Sequence, residues 1–328
     1  MMRISLVALA AASTLMAGCG GSSSSSTHTG DRDDTVAVAI PFTATVGTEP
    51  FACGQLYNSV GTTSADVIGQ DARLYVHNVR FVTNDEREIP VTLSGDIQGA
   101  ATANQKPGEG LEGIALLDLR DKSEGCQGDD ANPDYYDTVT GTAAIRNESI
   151  RALRFSVGVP ARYNHIDAQG TQPQTDSETG EPIPGTLAVG PLAAAGMGAG
   201  GMHWSWAAGY VHARLEVQVP TGASPVFYIH LGSTACSGEA IHGERTCEHG
   251  NKPDIEVTGF DPALHAVNLD LLALLSGNDV TINQGGPGGC MSGLTDADCV
   301  GIFERLGLPF PDADPDADHA PVFQAITF

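Results

Sequence analysis

Tyr210–Val219 reads YVHARLEVQV, and unbroken alternation over such a stretch is the pattern of a half-buried β-strand. Val211, Ala213, Leu215, Val217 and Val219 fall on an inward face; Tyr210, His212, Arg214, Glu216 and Gln218 fall on an outward one, which assigns His212 to solvent. The same period recurs on both sides. Val36, Val38, Ile40 and Phe42 share one face, and within Ala72–Val82 so do Tyr75, His77, Val79 and Phe81. Leu111–Leu119 is a short apolar run, and Ala152–Val159, Pro225–Leu231 and Ile255–Phe260 complete the strands. With 40 Gly and 19 Pro as punctuation, this predicts a mainly β chain, an antiparallel β-sandwich or barrel-like domain with few short helices. Helical signals are confined to Val267–Leu275 and Thr295–Leu306. The second opens on Thr295-x-x-Asp298, in the manner of a capping box, and stops at Gly307. His165–Ala199 is rich in Gly, Pro and Thr and reads as a surface excursion.

The first residues address the compartment. Residues 1–18 have a basic Arg3, an apolar Ile4–Met16 and a small-residue end at Met16-Ala17-Gly18, the form of a signal peptide. Cys19 follows at once, and LMAGC looks like the lipobox of a bacterial lipoprotein, with Cys19 the lipidated residue. Residues 19–35, rich in Gly and Ser, then form a flexible tether. The expectation is a periplasmic, membrane-anchored lipoprotein, touching the membrane through its N-terminal lipid only, with residues 36–328 a single β-rich domain.

The chain of 328 residues carries 16 Lys+Arg against 40 Asp+Glu, a net charge of −24. That excludes a nucleic-acid binder, because nothing neutralises a row of phosphates, and it suits a basic protein partner. Beyond Cys19 six cysteines remain, an even number suited to about three disulfides in an exported chain. Proximity pairs Cys236 with Cys247 and Cys290 with Cys299, leaving Cys53 with Cys126. A zinc site from Cys236, His242, Cys247 and His249 competes, but it lacks a paired C-x-x-C. Asp312, Asp314, Asp316 and Asp318 alternate as in a calcium loop without its glycine and terminal glutamate, and read as a solvated acidic turn.

Motifs for a serine hydrolase elbow, a zincin, a phosphate loop, a dinucleotide fold and haem attachment are all missing. What remains is ten histidines. His28 and His319 read as solvated, and His265 as a surface residue before a helix. His77, His165 and His230 stand in apolar company, and three such imidazoles suit a shared copper or zinc site.

ARLYVHNVRFV, GVPARYNH, MHWSWAAGY, FYIHLGSTAC and CMSG, running in that order from about Leu74 to Gly293, resemble the motifs of the metallo-mystery-pair four-Cys proteins, the MbnP-like copper proteins named for a methanobactin operon. The resemblance implies an exported β-rich copper-binding protein, read here as a binding protein without turnover of its own; two imidazoles and the aryl amine of a kynurenine would make a low-coordinate site suited to Cu(I). It also implies a partner, a dihaem cytochrome resembling the cytochrome c peroxidases, which oxidises a tryptophan to kynurenine. His77, His165 and His230 match the family's histidine positions, and Trp204 and Trp206 match its W-S-W motif. His203 is a departure that adds an imidazole to the candidate ligands, and a Gly/Ala-rich run, Ala193–Gly201, precedes it. In an extended segment Met202, Trp204 and Trp206 share one face. Met291 offers a thioether, although a Met beside a disulfide is more often packing. Two other classes compete: a secreted carbohydrate-type binding module with the tryptophans as stacking platform, and a metal-dependent oxidase or hydrolase using Asp167 as acid or base.

Overall fold

The structure is a computed structural model that describes residues 34–95, 104–121, 125–126, 136–166, 190–193, 201–205, 207–238, 245–314 and 317–327. The signal peptide, Cys19 and all but the end of the tether lie outside these residues, as do Trp206, Asp167, His242 and Asp316. In chain order the principal strands are β1 (Val36–Val46), β2 (Ala65–Thr83), β3 (Ile114–Asp118), β4 (Thr138–Ala143) and β5 (Ile150–Val157). They continue with β6 (Gly209–Gln218), β7 (Val226–Gly232), β8 (Asp254–Thr258), β9 (His265–Asp270) and β10 (Phe323–Thr327).

Among the described residues, apart from a separate two-stranded ribbon, Thr234–Ser237 against Thr246–His249, there are two large sheets, mostly antiparallel and neither closed into a barrel. The smaller runs β10-β9-β1-β4 and ends on the short strands Thr92–Leu93 and Gly108–Glu109. The larger runs β8-β5-β2-β6-β7 and ends on Gly289–Cys290. β1 lies parallel to β9, and β7 parallel to Gly289–Cys290. The expectation of a β-sandwich with few helices holds.

The core lies between the inner faces. Ile40, Phe42, Val267, Leu269 and Phe323 from the smaller sheet meet Leu74, Val76, Phe155, Leu215 and Ile229 from the larger. The Phe155 ring sits edge-on to both Phe42 and Phe323, at 5.4 Å in each case, so one side chain bridges the two layers. A second, smaller apolar cluster covers part of the outer face of the larger sheet: Tyr75, Leu116, Val159, Tyr163, Met202 and Tyr210 belong to it.

Two face assignments change. Leu74, Val76, Val79 and Phe81 join the main core, whereas Tyr75 belongs to the outer cluster. The cause is a bulge at Asn78, whose φ is 53°; Arg154 pairs with Arg80 but Ser156 pairs with His77. One extra residue inverts the alternation, so Tyr75 and His77 do not share a face with Val79 and Phe81. His212 does point outward, but it is 0% exposed, because outward on β6 means under the second cluster and its flanking loops.

Other local expectations shift by less. Val267–Leu275 divides into the end of β9 and a short helix, α1 (Leu271–Leu275), capped by the Asp270 carboxylate on Leu272 N–H at 2.9 Å. His265 therefore opens a strand, its Nδ1 accepting from Asp261 N–H at 2.9 Å. Near the C-terminus a 3₁₀ turn, Ala297–Cys299, leads into α2 (Val300–Arg305), and Asp296 rather than Thr295 supplies the cap. β10 went unread in the sequence; it pairs antiparallel with β9. Asp312, Asp314 and Asp318 are exposed.

The three disulfides are Cys53–Cys126, Cys236–Cys247 and Cys290–Cys299. The zinc alternative at Cys236 and Cys247 gives way to the bond between them. Cys53–Cys126 spans 73 residues and limits the unfolded chain by up to about 4 kcal/mol in the loop-entropy description. Among the described residues no helix is long and apolar enough to cross a membrane.

Since Phe155 bridges both layers, Phe155→Ala is expected to lower unfolding free energy by about 3–5 kcal/mol, read from the urea midpoint at unchanged m-value.

A buried imidazole cluster as candidate metal centre

β3 occupies one edge of β2, and both β5 and β6 occupy the other: Val157 pairs with Val76, and Ala213 pairs with Leu74. Between those pairs the two strands meet end to end and the chain leaves the sheet. At Gly158, φ is +120° and an added Cβ would come within 2.7 Å of His212 Cγ, so both backbone angle and space require glycine. Gly158 N–H donates to the Tyr75 carbonyl at 2.8 Å, and the Gly158 carbonyl accepts from His77 Nδ1–H at 2.8 Å.

The next residue fixes a histidine that the alternation had assigned to solvent. Val159 N–H donates to His212 Nδ1 at 3.2 Å, which leaves the proton on Nε2, facing Ser233 Oγ at 3.0 Å and the Gly250 carbonyl at 3.2 Å. A 3₁₀ turn, Ala161–Tyr163, then carries the chain to His165. His165 Nε2 lies 3.2 Å from Cys247 Sγ and 3.2 Å from Asn164 Nδ2, while Asn164 Oδ1 accepts from Tyr210 N–H at 3.0 Å. A cavity of about 230 Å³ opens beside it, lined among others by Asn164, His165, Ser233, Arg245, Cys247 and Lys252.

Burial sets the charge state. The His77 pKa is lowered to about 4, first by burial and further by the Lys252 ammonium. Burial likewise holds His212 well below the ordinary histidine value, with Lys252, His77 and His165 adding repulsion. That effect makes His77 and His165 neighbours of His212. At neutral pH His77 is uncharged, its Nδ1–H fixed on a backbone carbonyl and its Nε2 without a hydrogen-bond partner among the described residues. That is how ligating histidines are oriented. His212 differs: both its nitrogens are engaged in hydrogen bonds, so it positions the loop after β5 and presents no open lone pair to a metal.

His230 is not brought to this cluster. It pairs with Arg214, which pairs with Arg73, four residues along β2 from His77. Two strand spacings and four residues of rise put the Cα atoms of His77 and His230 roughly 16 Å apart. His230 Nε2 donates instead to Glu216 Oε1 at 2.6 Å, and Arg214 reaches both Glu216, at 2.7 Å, and Asp71, at 3.1 Å. Asp71 also holds Arg73, and Arg120 holds Asp118 at 2.7 Å, so this end of the outer face is a buried ion-pair array.

Of the W-S-W segment, Trp204 and Ser205 are among the described residues. His203–Ser205 pairs with the start of β6, with a register shift between its two ends. Met202 is 0% exposed within the outer cluster, whereas Trp204 is 38% exposed, so the two do not share one environment. The His203 ring meets Tyr210 edge-on at 4.7 Å. Trp204 lies over Gly232, where an added Cβ would stand 2.4 Å from Cζ3 of the indole. The adjoining Ser233 bonds His212 and lines the cavity of His165, which ties the indole to the imidazole cluster. Met291 is half-buried, its N–H on Asp296 Oδ2 at 2.9 Å.

Fold and site together define a two-sheet β protein with three disulfides and neutral imidazoles buried where two strands share an edge. A family model described as MbnP matches residues 35–292, and the chain belongs to that family. A similar solved structure is MbnP from Methylosinus trichosporium, with 26% identity and a TM-score of 0.65, covering 89% of this chain and 99% of the other. No curated protein matches.

Gly158→Ala is expected to destabilise the fold by at least about 1–3 kcal/mol, since it strains the backbone and displaces His212; urea unfolding measures it. A pH effect follows from His77. Its folded pKa is depressed to about 4 while the unfolded chain titrates near 6.5, so the unfolded state binds more protons in between. Stability of the metal-free protein is therefore expected to fall as pH drops from about 6.5 towards 4, by up to about 3 kcal/mol from this residue. His77→Gln should remove this residue's share of that dependence in urea midpoints taken across the window, leaving the share of His212.

Proposed function

We propose that this protein binds copper as Cu(I), with His77 and His165 as the imidazole donors and a product of tryptophan oxidation in the W-S-W segment as a further ligand. The observation that carries this reading is the neutral, buried His77, oriented by Gly158 and presenting a lone pair, with His165 also buried in the loop that Gly158 begins. Two imidazoles with few oxygen donors suit Cu(I). Oxidative opening of the Trp204 or Trp206 indole to kynurenine yields an aryl amine, a nitrogen donor that tryptophan lacks. Trp204, partly exposed over Gly232, is accessible to an external oxidant.

In this reading the chain is a binding protein and the substrate of a dihaem cytochrome, without turnover of its own. The net charge of −24 steers a basic patch of that partner, an attraction weakened by salt. Export, lipidation at Cys19 and a periplasmic site belong to the same proposal, and the three disulfides agree with an oxidising compartment.

His77→Ala and His165→Ala are each expected to weaken Cu(I) binding by about 100-fold, about 2.7 kcal/mol, in competition with a chromogenic chelator. His230→Ala should change it by no more than a few-fold. Intact mass of protein made with its partner should register loss of one carbon and gain of one oxygen; full affinity in a chain of unmodified mass overturns the kynurenine assignment. The exposed indole also suits a sugar-stacking platform. Carbohydrate binding lost in Trp204→Ala, in protein that holds no metal, selects that reading instead.

A further inference from the structure

The corner beyond the imidazoles contains a second set of donors. Cys236 Sγ, Cys247 Sγ and a ring nitrogen of His165 all lie within 4.8 Å of one another. The two cysteines sit directly opposite in an antiparallel ribbon, Thr234–Ser237 against Thr246–His249, whose other pairs are Thr234 with His249 and Ser237 with Thr246. Arg245 clamps the ribbon, donating to the Cys236, Gly238 and Ala207 carbonyls at 3.1, 3.0 and 2.8 Å. Opening the sulfur–sulfur bond therefore leaves both sulfurs aimed at each other and at His165, because the backbone that holds them does not depend on that bond alone.

The disulfide is also placed to be reached. Cys236 and Cys247 are half-buried and Cys247 borders the cavity of about 230 Å³, whereas Cys290 and Cys299 are fully buried. Arg245 and Lys252 line that cavity and favour thiolate over thiol.

We infer that reduction of Cys236–Cys247 creates a second Cu(I) site, with two thiolates and the His165 imidazole as donors. A dithiol donor passes two electrons and two protons to the bond and becomes a disulfide; Cu(I) then displaces the two thiol protons. Metal–sulfur and metal–nitrogen bonds of about 2.3 and 2.0 Å need donors roughly 3.7 Å apart, within reach of side-chain rotation from the observed spacing. Two thiolates and one imidazole form a soft, low-coordinate set that selects Cu(I). The inference shares His165 with the copper reading above, so the oxidised and reduced forms compete for one imidazole and the hairpin's redox state decides where the ion sits.

The test is anaerobic Cu(I) titration against a chromogenic chelator, before and after treatment with a dithiol that is then removed, with X-ray absorption on both loaded forms. Reduced protein is expected to bind Cu(I) at least 100-fold more tightly and to acquire sulfur scattering that the oxidised form lacks. The gain should persist in Cys53→Ser/Cys126→Ser and vanish in Cys236→Ser/Cys247→Ser. Unchanged affinity with no sulfur signal in the reduced wild-type protein overturns the inference, whether or not the serine variants fold. A gain that survives in Cys236→Ser/Cys247→Ser overturns it as well. Tight thiolate binding in a chain whose oxidised form binds no copper would sustain this site and remove the earlier one; nitrogen-only binding indifferent to reduction would do the reverse.

Discussion

β5 and β6 compete for one edge of β2, and where the first ends and the second begins the ladder leaves polar groups of β2 without a strand to pair with. Buried backbone groups do not stay unpaired, so the loop after β5 has to supply partners at that point. Gly158 does so twice, through its N–H to Tyr75 and its carbonyl to His77. His212 then anchors the following residue, and the turn to His165 proceeds from there. Remove that glycine and the imidazoles lose their common reference.

The outer face of the larger sheet solves the problem of buried polarity in two different ways. His77 and His212 are themselves neutral and are held by hydrogen bonds to backbone and Ser233, with the Lys252 ammonium nearby. Along Asp71, Arg73, Asp118, Arg120, Arg214 and Glu216 the groups are ionised and balanced, three cations against three anions, with His230 attached through Glu216. Desolvating an ion costs several kcal/mol, so such an array is weak evidence of stability and depends on close geometry throughout. The lone pair suited to a soft metal lies at the neutral end.

The ribbon bearing Cys236 and Cys247 connects this chemistry to the disulfide framework. It brings a sulfur to 3.2 Å from His165 and, through Ser233 and Gly250, also holds His212. The matched family region, residues 35–292, takes in β1 to β9, the imidazoles and the W-S-W segment together.

Alternation in YVHARLEVQV and its neighbours determined the strands and the inward core, and cysteine spacing suggested the two short-range pairs, Cys236–Cys247 and Cys290–Cys299, because these depend on local geometry. Even at the site, Tyr210 and His212 on a nominally solvent face were a legible sign of a covered surface. Tertiary structure alone decided the rest. A single bulge at Asn78 sent His77 away from Val79 and Phe81, β10 closed against β9 from a distant part of the chain, and strand order separated His230 from His77. Residue period states which side chains share a face; which strands become neighbours, and in what register, is fixed only by the packing of the two sheets.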